Sequence, residues 1–139
     1  MARERILIIE DEFITGEGIR QMVQEFGYEP IGPVASGKDA VTSALTHCPD
    51  VILMDILLKG SINGIQAAEA IRSHSRCPVI YVTAHSDRFT VELSKAAEPF
   101  GHVLKPINGQ ELRAAIEKAL SRPKTDESLG AWPPRNREL

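Results

Sequence analysis

Four places in this chain put a chemically capable side chain directly after a short apolar run. Ile6-Leu7-Ile8-Ile9 is followed by Glu10-Asp11-Glu12, Val51-Ile52-Leu53-Met54 by Asp55, Val79-Ile80-Tyr81-Val82 by Thr83, and Val103-Leu104 by Lys105-Pro106. If those runs lie side by side, carboxylates from two of them meet. Their repulsion is relieved most naturally by a hard divalent cation with oxygen ligands, Mg²⁺ first among them. A carboxylate so placed can attack phosphorus, provided that cations neutralise the charge on the equatorial oxygens in the transition state. Lys105 and the metal are the cations this chain offers. Each residue alone is ordinary, since acids and small polar residues often cap the helix after a strand and a lysine is usually at the surface. The coincidence of four strand ends is what points to chemistry.

The elements that must position these residues are legible in the spacing. Strands are expected at Arg5 to Ile9, Tyr28 to Val34, Val51 to Met54, Val79 to Val82 and Val103-Leu104. Between the first two, Ile19, Met22, Val23 and Phe26 recur on one helical face and Gly27 supplies a stop. A second helix is expected from Ser36, as cap, to His47 before Pro49, and a third from Gly64 to Arg72 with Ile65, Ala68 and Ile71 on one side. Asn108-Gly109-Gln110-Glu111 has a capping-box-like form and opens a last helix whose face is Leu112, Ala115, Ile116 and Ala119. The fourth helical stretch, about 87–97, is weaker because Phe89-Thr90-Val91 sits near its start, and it is expected to be the most mobile element. Alternating strands and helices imply a doubly wound α/β fold with a parallel sheet and helices on both faces. The near-continuous apolar runs of the first, third and fourth strands suit its centre. In such a sheet ligands bind outside the carboxyl ends of the strands, which is where the four polar groups fall.

Composition narrows the setting. The chain has 139 residues, 42% of them hydrophobic and 25% charged, which suits one domain. A formal net charge of −3 gives no electrostatic footprint for nucleic acid. No apolar run reaches the ~18–20 residues of a membrane span and no signal peptide is read. Cys48 and Cys77 are isolated thiols at neither disulfide-framework nor zinc spacing, and His47, His74 and His85 share no ligand spacing, so a reducing cytoplasm is expected. From Arg122 the pattern stops. Residues 1–121 are expected to form the domain and 122–139, with Trp132, Pro133 and Pro134, a disordered tail too short for an effector domain.

The blocks Ile6 to Glu12, Val51 to Asp55, Tyr81-Val82-Thr83-Ala84 and Val103 to Pro106 together resemble the signature of response-regulator receiver domains, over roughly residues 4 to 121. The resemblance implies a flavodoxin-like sheet in the order 2-1-3-4-5. It implies that Asp55 is the phosphoacceptor and that Glu10 and Asp11 hold Mg²⁺ with Asp55 and the backbone carbonyl of Leu57, Glu10 acting mainly through water. Thr83 would hydrogen-bond the phosphoryl group, and Lys105, before an often cis Pro106, would pair with it. The implied partners are a histidine kinase or phosphotransfer protein and a downstream protein target, or a second copy bound through the fourth helical stretch, the fifth strand and the last helix. Neither nucleic acid nor membrane is implied.

The chain departs from the family pattern at three points. Lys59 stands where many receivers have proline, in a loop one residue longer. Leu57 is apolar where several relatives are polar beside the attacking water. His102 replaces the usual Tyr or Phe of the rotameric switch that works with Thr83, with a partly exposed structural role as the plainer alternative. Glu12 is read as solvated or capping. Three other readings are weighed: a phosphorylation-independent binding module, a receiver cut from a larger regulator or hybrid kinase, and a haloacid-dehalogenase-type hydrolase. The last needs an acid two residues after its nucleophile, where this chain has Leu57.

Overall fold

The computed structural model describes residues 3–84 and 101–121. The strands are β1 (Arg5–Ile9), β2 (Glu29–Val34), β3 (Val51–Asp55), β4 (Val79–Ala84) and β5 (Gly101–Lys105). The helices are α1 (Phe13–Glu25), α2 (Gly37–His47), α3 (Gly64–Arg72) and α4 (Gly109–Leu120). The strands form one parallel sheet in the order β2-β1-β3-β4-β5. The expected fourth helical stretch, His85 and the expected tail lie outside the described residues.

Period-two alternation divides the core between the two faces of the sheet. Ile6, Ile8, Val51, Leu53, Ile80, Val82 and Val103 pack with Ile19 and Val23 of α1 and with Leu112, Ile116 and Ala119 of α4. Leu7, Ile9, Ile52, Met54 and Tyr81 pack with Ala40 and Ala44 of α2 and with Ile65, Ala68 and Ile71 of α3. Both faces are therefore covered, which is why the central strands read as unbroken apolar runs. Each Ile or Leu in them is at most 1% exposed, and full burial of such a side chain contributes roughly 1.5–3 kcal/mol.

The helix ends follow the expected chemistry. Ser36 accepts the Asp39 amide, and Asn108 accepts the Glu111 amide. A reciprocal capping box forms at Asn63, which accepts the Gln66 amide while the Gln66 side chain accepts the Asn63 amide, both at 2.8 Å. The spacing Asn63-x-x-Gln66 is the sequence signature of this box.

Five strand boundaries shift, with β3 running through Asp55 and β5 through Lys105 among them. β2 begins at Glu29 rather than Tyr28. β4 runs through Ala84 and β5 starts at Gly101, because Thr83 and Ala84 pair with Leu104 and Lys105 while His102 pairs with Tyr81. Partners from a distant strand extend a ladder beyond its apolar segment. β2 lies at the sheet edge, where Pro30 and Pro33 are tolerated because a missing N–H need not face a neighbour. Its register slips between Leu7 and Ile9, opposite Ile31 and Val34, around the cis Gly32–Pro33 peptide.

Candidate functional site

Because all five strands are parallel, their carboxyl ends share one edge, and the predicted residues gather there. The slip in β2 sits just before Glu10, whose amide donates to the Val34 carbonyl at 2.8 Å. Arg20 of α1 donates to the Gly32 carbonyl. Gly16 of α1 meets this bulge so closely that a Cβ would come 2.7 Å from Pro33 Cγ and 3.5 Å from Glu10 Cγ. Glu10 is buried as a result, and its Oε2 accepts the Glu12 amide at 3.1 Å.

Asp55 ends β3 and is also buried. Its Oδ1 accepts the Leu57 amide at 3.2 Å. The chain turns back sharply enough that the Gly64 amide donates to the Ile56 carbonyl at 2.8 Å, and a Cβ on Gly64 would overlap the Asp55 carbonyl oxygen. Asp11 is half-buried and accepts the Lys59 amide at 3.2 Å through Oδ2. One carboxylate oxygen from each of Glu10, Asp11 and Asp55 lies within 4.8 Å of the others.

Lys105 enters from the end of β5, its peptide bond to Pro106 cis. Its Nζ lies 3.0 Å from Glu10 Oε1 and 3.6 Å from Asp55 Oδ2. The first contact is an ion pair rather than an aligned hydrogen bond. Burial, then the neighbouring Glu10 charge, push the Asp55 carboxyl up to about 7, against the opposing pull of Lys105 and the Leu57 amide. For Lys105, burial by itself lowers the pKa, but Glu10 and Asp55 outweigh it and the net direction is up, so the ammonium stays charged.

Thr83, 1% exposed near the end of β4, has a buried Oγ1 with no hydrogen-bond partner among the described residues. A buried hydroxyl without a partner costs about 1–3 kcal/mol, which a ligand in this edge would recover. The donor set fits a hard cation: three carboxylates, all oxygen, two of them buried beside one ammonium that does not balance their charge. Glu10, Asp11 and Asp55 are the residues that would hold it. The same edge presents a carboxylate oxygen beside an ammonium, the pairing that phosphoryl transfer to a carboxylate requires.

Other predicted residues are placed differently. The Leu57 side chain is 55% exposed, while its amide serves Asp55. His102 is half-buried beside Tyr81, ring centroids 5.8 Å apart and tilted by 35°. Glu12 occupies the N-cap position of α1 without a side-chain cap. His47 packs beside Arg5, whose Nη1 donates to the His47 carbonyl at 2.7 Å, and His74 is exposed. Cys48 and Cys77 are both buried and not joined in a disulfide. Gly16, Gly64 and the Lys59 amide are site-shaping features missed in the sequence. A glycine needed for clearance looks like any other glycine, and a backbone donor has no side-chain signature.

A family model for the response regulator receiver domain matches residues 6–117. Over 118 residues the chain is 37% identical to the transcriptional regulatory protein PdtaR of Mycobacterium tuberculosis, a match covering 85% of this chain and 57% of that protein. The chain spans about half the length of the curated relatives it matches. Among solved structures it is similar to the receiver domain of a sensor histidine kinase from Pseudomonas aeruginosa, solved with a magnesium ion coordinated in its active-site cleft. That match has 30% identity and a TM-score of 0.78, covering 86% of this chain and 98% of the other. A putative response regulator from Chloroflexus aurantiacus matches at 27% identity and a TM-score of 0.81, covering 86% and 99%.

Proposed function

Since the chain belongs to the response regulator receiver domain family of two-component signalling, we propose that Asp55 accepts a phosphoryl group from the phosphohistidine of a histidine kinase or phosphotransfer protein. The observation that carries this reading is the buried Asp55 carboxylate with Lys105 Nζ at 3.6 Å and the Glu10 and Asp11 carboxylates within 4.8 Å. Asp55 must be ionised to attack, and its raised pKa means that the cation-free site holds it partly protonated at neutral pH. Mg²⁺, when bound, supplies the positive charge that returns Asp55 to its ionised form and neutralises the phosphoryl oxygens. The Asp55 oxygen then forms a bond to phosphorus as the P–N bond of the donor breaks, and the histidine ring leaves. Lys105 stays charged and pairs with the new phosphate, and the Thr83 hydroxyl donates to it.

The aspartyl phosphate carries about 1.5–2 negative charges where the carboxylate carried one, and biases neighbouring elements toward a second arrangement, Thr83 and His102 among them. Output is then a protein contact, with a downstream target or another copy. Phe13 and Ile14, 76% and 84% exposed just after the acidic pair, and exposed Leu57 support a protein donor at this rim. We read residues 1–121 as the receiver unit and 122–139 as a tail, and two buried thiols that are not joined in a disulfide fit a reducing cytoplasm. Among the described residues, no helix is long and apolar enough to cross a membrane.

Intact mass after incubation with Mg²⁺ and acetyl phosphate tests the proposal. A labile phosphoryl adduct is expected in the wild type and not in Asp55→Ala. Its absence from folded, metal-binding wild type would favour a binding module that needs no phosphorylation.

A further inference from the structure

The loop after β3 carries lysine at position 59 where many receivers have proline, and the difference reaches the acidic cluster through the backbone. The Lys59 amide donates to Asp11 Oδ2 at 3.2 Å, joining residues 48 positions apart. Proline has no N–H, so a chain with proline there cannot make this bond. Two positions earlier the Leu57 amide holds Asp55 Oδ1 at the same distance. One loop therefore restrains two of the three carboxylates that would share the ion.

Asp11 is the acid most in need of such restraint. Glu10 and Asp55 are 2% and 5% exposed and are confined by their surroundings, whereas Asp11 is half-buried. The amide occupies one acceptor position of the Asp11 carboxylate, and the group still has an oxygen within 4.8 Å of those of Glu10 and Asp55. The loop that carries the donor is itself anchored. Ile62 packs on the start of α2, where a Cβ on Gly37 would come 2.6 Å from Ile62 Cγ1, and the capping box at Asn63 closes the far end.

We propose that the Lys59 backbone amide is a positioning group for the divalent cation, holding Asp11 in the orientation in which it binds the ion. This rests on the reading of Glu10, Asp11 and Asp55 as the Mg²⁺ site. Preorganisation removes the ordering cost of the ligand at the moment of binding, and losing a hydrogen bond that orients a metal ligand typically weakens affinity about 10- to 100-fold. For a partly exposed carboxylate the lower end applies, about tenfold.

The test compares MgCl₂ titrations of the full chain by calorimetry in wild type, Lys59→Ala and Lys59→Pro. Both variants lack the ammonium, but only the proline variant lacks the N–H, so their ratio isolates the amide. The Ala variant should bind Mg²⁺ about as tightly as wild type, and the Pro variant about tenfold more weakly. A second measurement does not depend on how the Pro variant folds: the Lys59 amide proton should move upfield in Asp11→Ala. Equal affinities for the two variants, an equal loss in both, tighter binding by the proline variant, or an unmoved Lys59 resonance each overturn the proposal while wild-type binding keeps the metal reading intact. A wild type that binds no Mg²⁺ removes the metal reading and this inference with it.

Discussion

The proposed phosphoacceptor should be a burden on the fold that carries it. Burial beside Glu10 raises the Asp55 carboxyl from its ordinary 3.8 to about 7. An acid with a raised pKa holds its proton more tightly folded than unfolded, so the folded state is favoured at low pH. That advantage declines as pH climbs from about 4 to about 7 and is level above. Roughly three pH units at ~1.4 kcal/mol each set a ceiling of ~4 kcal/mol. The site opens to solvent past half-buried Asp11 and the lysine, so screening brings the expected cost to about 2 kcal/mol. Asp55→Asn keeps an acceptor for the Leu57 amide but removes the charge. Without divalent cation it should stabilise the chain by ~2 kcal/mol at pH 8, a rise in Tm of about 6–10 °C for a domain of this size. At pH 4.5 the gain should shrink to under about 1 kcal/mol, since folded Asp55 is then neutral and the unfolded side chain only partly ionised. Urea titrations with EDTA at both pH values provide the assay. A gain of equal size at both would place the effect in packing, and a loss of stability at pH 8 would refute the argument that Asp55 is held against its charge.

Further outcomes follow from neighbouring geometry. Mg²⁺ at 100 times its Kd should add about 2.7 kcal/mol to the wild type at pH 8 and far less to Asp55→Asn, read from the same urea curves. Gly64→Ala should cost about 2 kcal/mol or more because its Cβ meets backbone, whereas Gly18→Ala, with open space around it inside α1, should stabilise by ~0.5–1 kcal/mol. On the proposed chemistry, Leu57→Asn puts a polar group on the exposed side chain two residues from the phosphoacceptor and should speed phosphoryl loss by about tenfold, well short of a full general catalyst. An unchanged rate of ³²P release would end that idea.

The parts of this protein that were legible in its sequence are those set within a few residues of one another. Five apolar runs, the faces of the first, third and last helices, and the caps at Ser36 and Asn108 depend on spacings of two to four positions. In a parallel sheet those local features already put Glu10, Asp11, Asp55, Thr83 and Lys105 on one edge, since the strands all end on the same side. The ladder partners that extend β4 and β5 are set by distant pairing, so the ends of those strands were misjudged. Tertiary structure alone decided how the site is held. It placed the bulge of β2 just before Glu10, gave Gly16 and Gly64 their clearance roles, set Lys105 nearer to Glu10 than to Asp55, and turned the Lys59 amide onto Asp11. Those relations join positions up to dozens of residues apart, largely through backbone groups that every residue but proline carries alike, so no choice of side chain announces them until the chain has folded.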